Sequence, residues 1–176
     1  MSINGSNTLH FLLSPQRISA VIVLLCVGAF AAAFTAEYVF GLLPCVLCIY
    51  QRYAYAAALA AGLAGLAVAR NRSLHRLSLL AAGASFLMGS AIAGFHVGVE
   101  FKWWRGTDGC HAPELDPSLS IDEMKALLLD QPFVACDEIP WELFGISIAG
   151  YNFLAMLLFG LFSMWAFKAP LHGGEQ

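Results

Sequence analysis

The chain has 176 residues, of which 59% are hydrophobic and only 12% charged, and its mean hydropathy is +0.70. Soluble domains carry about 25% charged side chains, so this composition excludes an ordinary water-soluble fold. The net charge of −3 gives no basis for binding nucleic acid, and the length suits a single integral membrane domain over residues 1–176.

A polar segment opens the chain and ends at Arg17. The first apolar stretch follows, from Ile18 to Tyr38. Ala31–Ala36 has the small residues of a signal-peptide cleavage region. The apolar run is long for such a peptide, however, and a retained first helix is expected. A second stretch runs from Cys45 to Ala69, a third from Leu77 to Val99 and a fourth from Phe144 to Phe167. Each has the roughly 20 residues that a helix needs to cross a hydrocarbon core. No strand-like alternation suggests a barrel, so helices are the expected spanning structure. Ala58, Gly62 and Gly65 in the second stretch and Gly89 and Gly94 in the third allow helices to approach closely. The expected fold is all-α, a four-transmembrane-helix bundle.

The turn Arg70–Arg76 holds three arginines, Arg17 precedes the first span and Lys168 follows the last. Basic residues in short connections mark the cytoplasmic side, which puts both termini and that turn inside. The long loop of residues 100–143 holds only Lys102, Arg105 and Lys125 against ten acidic residues, and is placed outside. Within it, Ser120 and Glu123 have capping-box spacing, and Ile121, Met124, Leu127 and Leu128 recur at helical intervals. A short amphipathic helix at the membrane surface is predicted there, within a loop mobile enough to bring its sulfurs together in turn.

Five cysteines are present. Cys26 falls in the middle of the first span and reads as a small packing residue. The other four all fall on the outer side: Cys45 and Cys48 where the second helix begins, Cys110 and Cys136 in the long loop. Outside a bacterial inner membrane, thiols oxidise unless something reduces them. A Cys110–Cys136 disulfide would close a loop worth about 3 kcal/mol in chain entropy. Cys45-Val-Leu-Cys48 is a C-x-x-C pair at a helix start, an arrangement that favours a thiolate, and Pro44 suits that start. Arg52 lies four residues beyond Cys48, so Cys45, Cys48 and Arg52 share a stripe. An ionisable group so near the hydrocarbon points to function, although a snorkelling side chain is the plainer alternative. Zinc is the other common use of C-x-x-C, with Cys110, Cys136, His96 or His111 as conceivable further ligands. Zinc ligands usually come as two close pairs, and Cys110 and Cys136 are far apart in sequence.

Pro44-Cys-Val-Leu-Cys-Ile-Tyr-Gln-Arg52 closely resembles the signature of the disulfide bond formation protein B family, DsbB. The resemblance continues through Phe95-His-Val-Gly-Val-Glu100, the lone Cys110, and Ala135-Cys-Asp137 leading to Trp141 and Phe144-Gly145. It implies an inner-membrane, quinone-dependent thiol oxidoreductase. Cys110 and Cys136 would form a disulfide that takes electrons from a DsbA-like partner of thioredoxin fold, with Cys110 the sulfur attacked. Cys136 would then attack Cys45, and Cys48 would donate to ubiquinone or menaquinone held by Arg52, with His96 near it. A dithiol oxidant near about −120 mV needs a stronger net acceptor, which glutathione is not and a respiratory quinone is. Two rivals stand beside this. Proteins of the vitamin K epoxide reductase type place their C-x-x-C elsewhere relative to the spans. A metal-binding or helper membrane protein would use the thiols as ligands.

Overall fold

The computed structural model describes residues 14–110, 120–122, 125 and 134–169. Among these, four long helices follow one another: α1 (Pro15–Tyr38), α2 (Val46–Ala67), α3 (Arg72–Glu100) and α4 (Ile148–Lys168). Three of them, α1, α3 and α4, are long and apolar enough to cross a membrane. The 22-residue α2 is long enough as well, but Gln51, Arg52 and three tyrosines interrupt its apolar run.

Local chemistry fixes the helix ends. Pro15 opens α1 at a position where its missing N–H costs nothing. Asn71 caps α3, its side chain accepting from Leu74 N at 3.1 Å, and Ser147 caps α4 by accepting from Gly150 N at 3.1 Å. The fourth helix begins later than the sequence suggests. Phe144 and Gly145 both take positive φ (52° and 74°) and form the turn of a small hairpin, β1 (Glu142–Leu143) against β2 (Ile146–Ser147). Gly145 makes that turn accessible, so residues 144–147 leave the predicted span for the hairpin. Of the predicted loop helix, Ile121, Asp122 and Lys125 are helical and Ile121 is 83% exposed; Glu123, Met124, Leu127 and Leu128 lie outside the described residues.

Each helix packs on its neighbours in the chain, α3 against both α2 and α4, while α1 rests chiefly on α2. The main core holds Ile18, Ile22 and Cys26 of α1, Tyr55 and Ala58 of α2, Leu79, Ala82 and Phe86 of α3, and Met156 and Ala166 of α4. Small residues set the spacing, as expected. A Cβ on Gly89 would come within 2.8 Å of Ala54 and 2.5 Å of Met156. Large apolar side chains such as Leu24, Leu63, Leu77, Met88, Leu158 and Leu161 point outward, as suits helices surrounded by lipid.

Candidate functional site

A second buried cluster lies at the end of the bundle where α2 begins and α3 ends. It contains Cys45, Leu47, Val99, Cys110 and Cys136, with Val46, Cys48, Ile92 and Val134 packed against it. The two cysteine pairs, separated by more than sixty residues of chain, thus share one apolar environment.

Cys110 and Cys136 form a disulfide, with Cα atoms 5.0 Å apart. The loop after α3 is folded to allow it. Trp104 turns back, its ring nitrogen donating to Phe95 O at 3.0 Å, and the ring occupies the space a side chain on Gly98 would need. A 3-10 turn (Asp108–Cys110) follows, with Cys110 N donating to Thr107 O at 2.8 Å and Gly109 set against Val46 of α2. Both disulfide cysteines are sealed, Cys110 at 1% exposure and Cys136 at 0%. Beside them, Val99, Lys102, Trp103, Trp104, Arg105, Gly106 and Asp137 line an open cavity of about 400 Å³.

Cys45 is the N-cap residue of α2 and Cys48 sits in its first turn; their sulfurs are 3.3 Å apart and both thiols are free. Cys45 is 5% exposed, while Cys48 is half-buried. The His96 ring of α3 lies on Cys45, Nε2 to Sγ at 3.6 Å. His96 is itself buried, at 4% exposure. Its Nε2 is 4.0 Å from a carboxylate oxygen of Glu100. The other carboxylate oxygen of Glu100 accepts from Ser147 Oγ at 2.5 Å, which ties the end of α3 to the start of α4.

Arg52 does not snorkel free. Its guanidinium donates to Glu37 of α1 at 2.5 Å and lies over the Phe34 ring, 5.4 Å from its centroid. An opposite charge and an aromatic face thus compensate the cation where it lies between α1 and α2. Cys26, by contrast, is buried in the main core away from the sulfur cluster, in keeping with its reading as a packing residue.

Gln51 and Glu100 stand inside the motifs that carry the resemblance, but nothing in their spacing assigns them a role, and Glu37 and Asn152 are marked only as polar side chains in apolar stretches. Gln51 contacts His96 Nδ1 at 3.2 Å, Asn152 of α4 hydrogen-bonds Gln51, and Tyr55 donates to Asn152 at 2.8 Å. Among the described residues, Cys45, Cys48 and His96 are also the one group whose ligand atoms, all within 4.8 Å of one another, could hold a metal ion. His111 lies outside the described residues.

Comparison with known proteins bears directly on this arrangement. A model of the family described as disulfide bond formation protein DsbB matches residues 15–166. A disulfide bond formation protein B of Marinobacter nauticus is 33% identical over 173 residues, covering 90% of this chain and 96% of its own. Those of Verminephrobacter eiseniae (30% over 166 residues, 93% and 92%) and Actinobacillus pleuropneumoniae (32% over 131 residues, 74% and 73%) are similar. No solved structure gives a significant match.

Proposed function

The chain belongs to the DsbB family of disulfide bond formation proteins, and on that premise we propose that it reoxidises a DsbA-like periplasmic dithiol partner of thioredoxin fold and passes the electrons to a membrane quinone. The family makes it a membrane disulfide oxidoreductase. The observation that carries the finer reading is the shared burial of Cys45, Cys110 and Cys136 in one cluster, with Cys48 against it, since exchange between pairs needs sulfurs that can meet.

In this reading the whole chain is one integral domain of the inner membrane with four spans, both termini cytoplasmic and the loop of residues 100–143 periplasmic. The arginines of the Arg70–Arg76 turn support that orientation. Helix α2 spans as well. Its 22 residues reach about 33 Å, and its polar groups turn into the bundle, Gln51 to His96 and Arg52 to Glu37.

The relay starts when a thiolate of the partner attacks Cys110 Sγ. That sulfur bonds to the partner, the Cys110–Cys136 bond breaks, and Cys136 departs as a thiolate. Cys110 is sealed, so the loop has to open for this step. Cys136 then attacks Cys45 of an oxidised Cys45–Cys48 pair, and Cys48 leaves as a thiolate. The partner's second thiolate takes its sulfur back from Cys110, closing the partner's disulfide. Cys110 in turn attacks Cys136, re-forming the loop disulfide and releasing Cys45. Two electrons now rest on Cys45 and Cys48.

The donor set suits a quinone. Cys48 is half-buried at the helix start, and Arg52 spends one N–H on Glu37 and has others to offer a carbonyl oxygen. A bound quinone supplies the capacity to accept two electrons and two protons. Arg52 binds and orients it, Cys48 provides the thiolate, and His96 completes the polar wall on the Cys45 side.

The test is anaerobic turnover by purified protein in detergent with a reduced thioredoxin-fold dithiol and a soluble quinone, followed by quinone absorbance. Catalytic quinone loss that vanishes in both Cys45→Ser and Cys110→Ser is expected. The metal-binding alternative draws on the closeness of Cys45, Cys48 and His96. No quinone loss, with metal bound in proportion to protein, would establish that alternative and overturn the relay.

A further inference from the structure

Gln51 and Tyr55 stand one turn apart on the inward face of α2, opposite Asn152 of α4 and His96 of α3. Polar groups in such a place carry a desolvation cost unless every one is paired, and here they pair in sequence. Tyr55 Oη donates to Asn152 Oδ1 at 2.8 Å. Asn152 Nδ2 donates to Gln51 Oε1. Gln51 Nε2 meets His96 Nδ1 at 3.2 Å, and His96 Nε2 meets Cys45 Sγ at 3.6 Å.

The series has a direction. An amide N–H can only donate, so His96 Nδ1 must be the unprotonated, accepting nitrogen, and the ring's proton sits on Nε2. Running the series backwards requires both amides to turn over. The Asn152 amide would then donate to the phenol oxygen, and the phenol proton would lose the acceptor it has in Asn152. A buried donor without an acceptor is costly, so Tyr55 pins the direction. Glu100 Oε1 lies 4.0 Å from the same Nε2, and a carboxylate oxygen on that side of the ring again favours a proton on Nε2.

We infer that Tyr55, Asn152 and Gln51 are positioning residues whose one-way hydrogen-bond series holds His96 as an Nε2–H donor aimed at the Cys45 sulfur. This rests on the proposal that Cys45 exchanges disulfides. When Cys110 attacks Cys136, the Cys136–Cys45 bond breaks and its electron pair goes to Cys45. Nε2–H then donates to the departing thiolate and the ring keeps its proton. With the opposite tautomer, a nitrogen lone pair would face that sulfur and oppose its departure.

The experiment uses full-length protein in detergent, reduced at the Cys45–Cys48 pair, with 15N-labelled histidine rings. Subtracting the spectrum of His96→Gln identifies the His96 signals. The wild type is expected to show an unprotonated Nδ1 and a protonated Nε2. Tyr55→Phe, which removes one oxygen, frees the series to reverse, and the Nδ1–H population is expected to rise about tenfold. Asn152→Leu cuts the series and is expected to give the same mixed pattern. A protonated Nδ1 in the wild type, or a His96 pattern unchanged in Tyr55→Phe, would overturn the inference. Should Asn152→Leu fail to fold, Tyr55→Phe decides alone. Because the spectrum is read without turnover, absence of quinone reduction would count against the proposed function and leave this result standing.

Discussion

Helix α3 carries two buried histidines, one near each end, and they are used in opposite ways. His75, near the start, is fully buried; its Nε2 lies 3.0 Å from both Pro15 O and Ser19 Oγ, and its Nδ1 has no partner among the described residues. A carbonyl oxygen only accepts, so the proton is on Nε2 and points at the backbone of α1. His96, near the other end, turns the same nitrogen toward a sulfur, and in the tautomer inferred above carries its proton there. The first ring staples α1 to α3 through Pro15 and Ser19. The second is held from behind by Gln51 and faces Cys45, where the proposed relay exchanges bonds. Burial and residue type are the same; what sits opposite Nε2, a backbone carbonyl or a sulfur, separates a structural histidine from one placed for the proposed chemistry.

Variants at the sulfur end should therefore lose turnover, and variants at the other end should lose stability. The largest expected effect is that of Cys136→Ser. Turnover with the dithiol partner should disappear altogether, since no second sulfur remains to carry electrons from Cys110 to Cys45. The variant also loses the constraint on a loop of 26 residues, worth about 3–4 kcal/mol in chain entropy, so thermal melting in detergent should be followed in parallel. Residual partner-dependent quinone reduction at the wild-type rate would place the relay elsewhere.

Arg52→Ala comes next. Losing a charge-assisted hydrogen bond, about 1.5–3 kcal/mol, should slow quinone reduction by roughly 10- to 100-fold, while exchange between the cysteine pairs proceeds. Single-turnover mixing of the variant with reduced partner, with the mixed disulfides trapped by acid, separates the two steps. Unchanged quinone kinetics would remove Arg52 from the site.

At the opposite end, His75→Ala should cost about 2–3 kcal/mol through the lost ring volume and the unpaired Pro15 carbonyl. The melting temperature should drop by several degrees, with turnover per folded molecule unchanged. A loss of turnover without a loss of stability would mean that the two ends are coupled and the contrast drawn above is wrong.

How far this division could be read beforehand depends on the type of signal. Hydropathy gave the four helices, and spacing gave Cys45, Cys48 and Arg52 on one side of α2, because both depend only on neighbours along the chain. The Cys110–Cys136 pair followed from topology and resemblance. What stayed hidden depends on which helices face one another. Glu37 is an ordinary acidic residue until α1 lies beside Arg52, and Gln51 and Asn152, 101 residues apart, acquire a shared purpose only when α2 and α4 meet over His96. The start of α4 was misplaced for a local reason: Phe144 and Ile146 read as membrane residues, and the turn at Gly145 outweighs their hydropathy.

The smallest effect comes from a pair of glycines. A Cβ on Gly65 would lie 2.5 Å from Ser19 Oγ and 2.7 Å from Ser78 Oγ, whereas one on Gly28 of α1 would meet nothing within 4 Å. Ser19 holds His75 and Ser78 donates to the His75 carbonyl at 2.7 Å, so both hydroxyls belong to the staple. Gly65→Ala should therefore displace them and cost about 1 kcal/mol, lowering the melting temperature by a few degrees with turnover intact. Gly28→Ala adds a better helix former in open space, worth up to about 1 kcal/mol in its favour, and should leave melting unchanged or slightly raised. Equal melting curves for the two variants would mean that the hydroxyls yield freely. The tight joint between α1, α2 and α3 would then lie in the apolar contacts of Ile18, Ile22 and Leu79, and His75 would be packed there without holding the helices together.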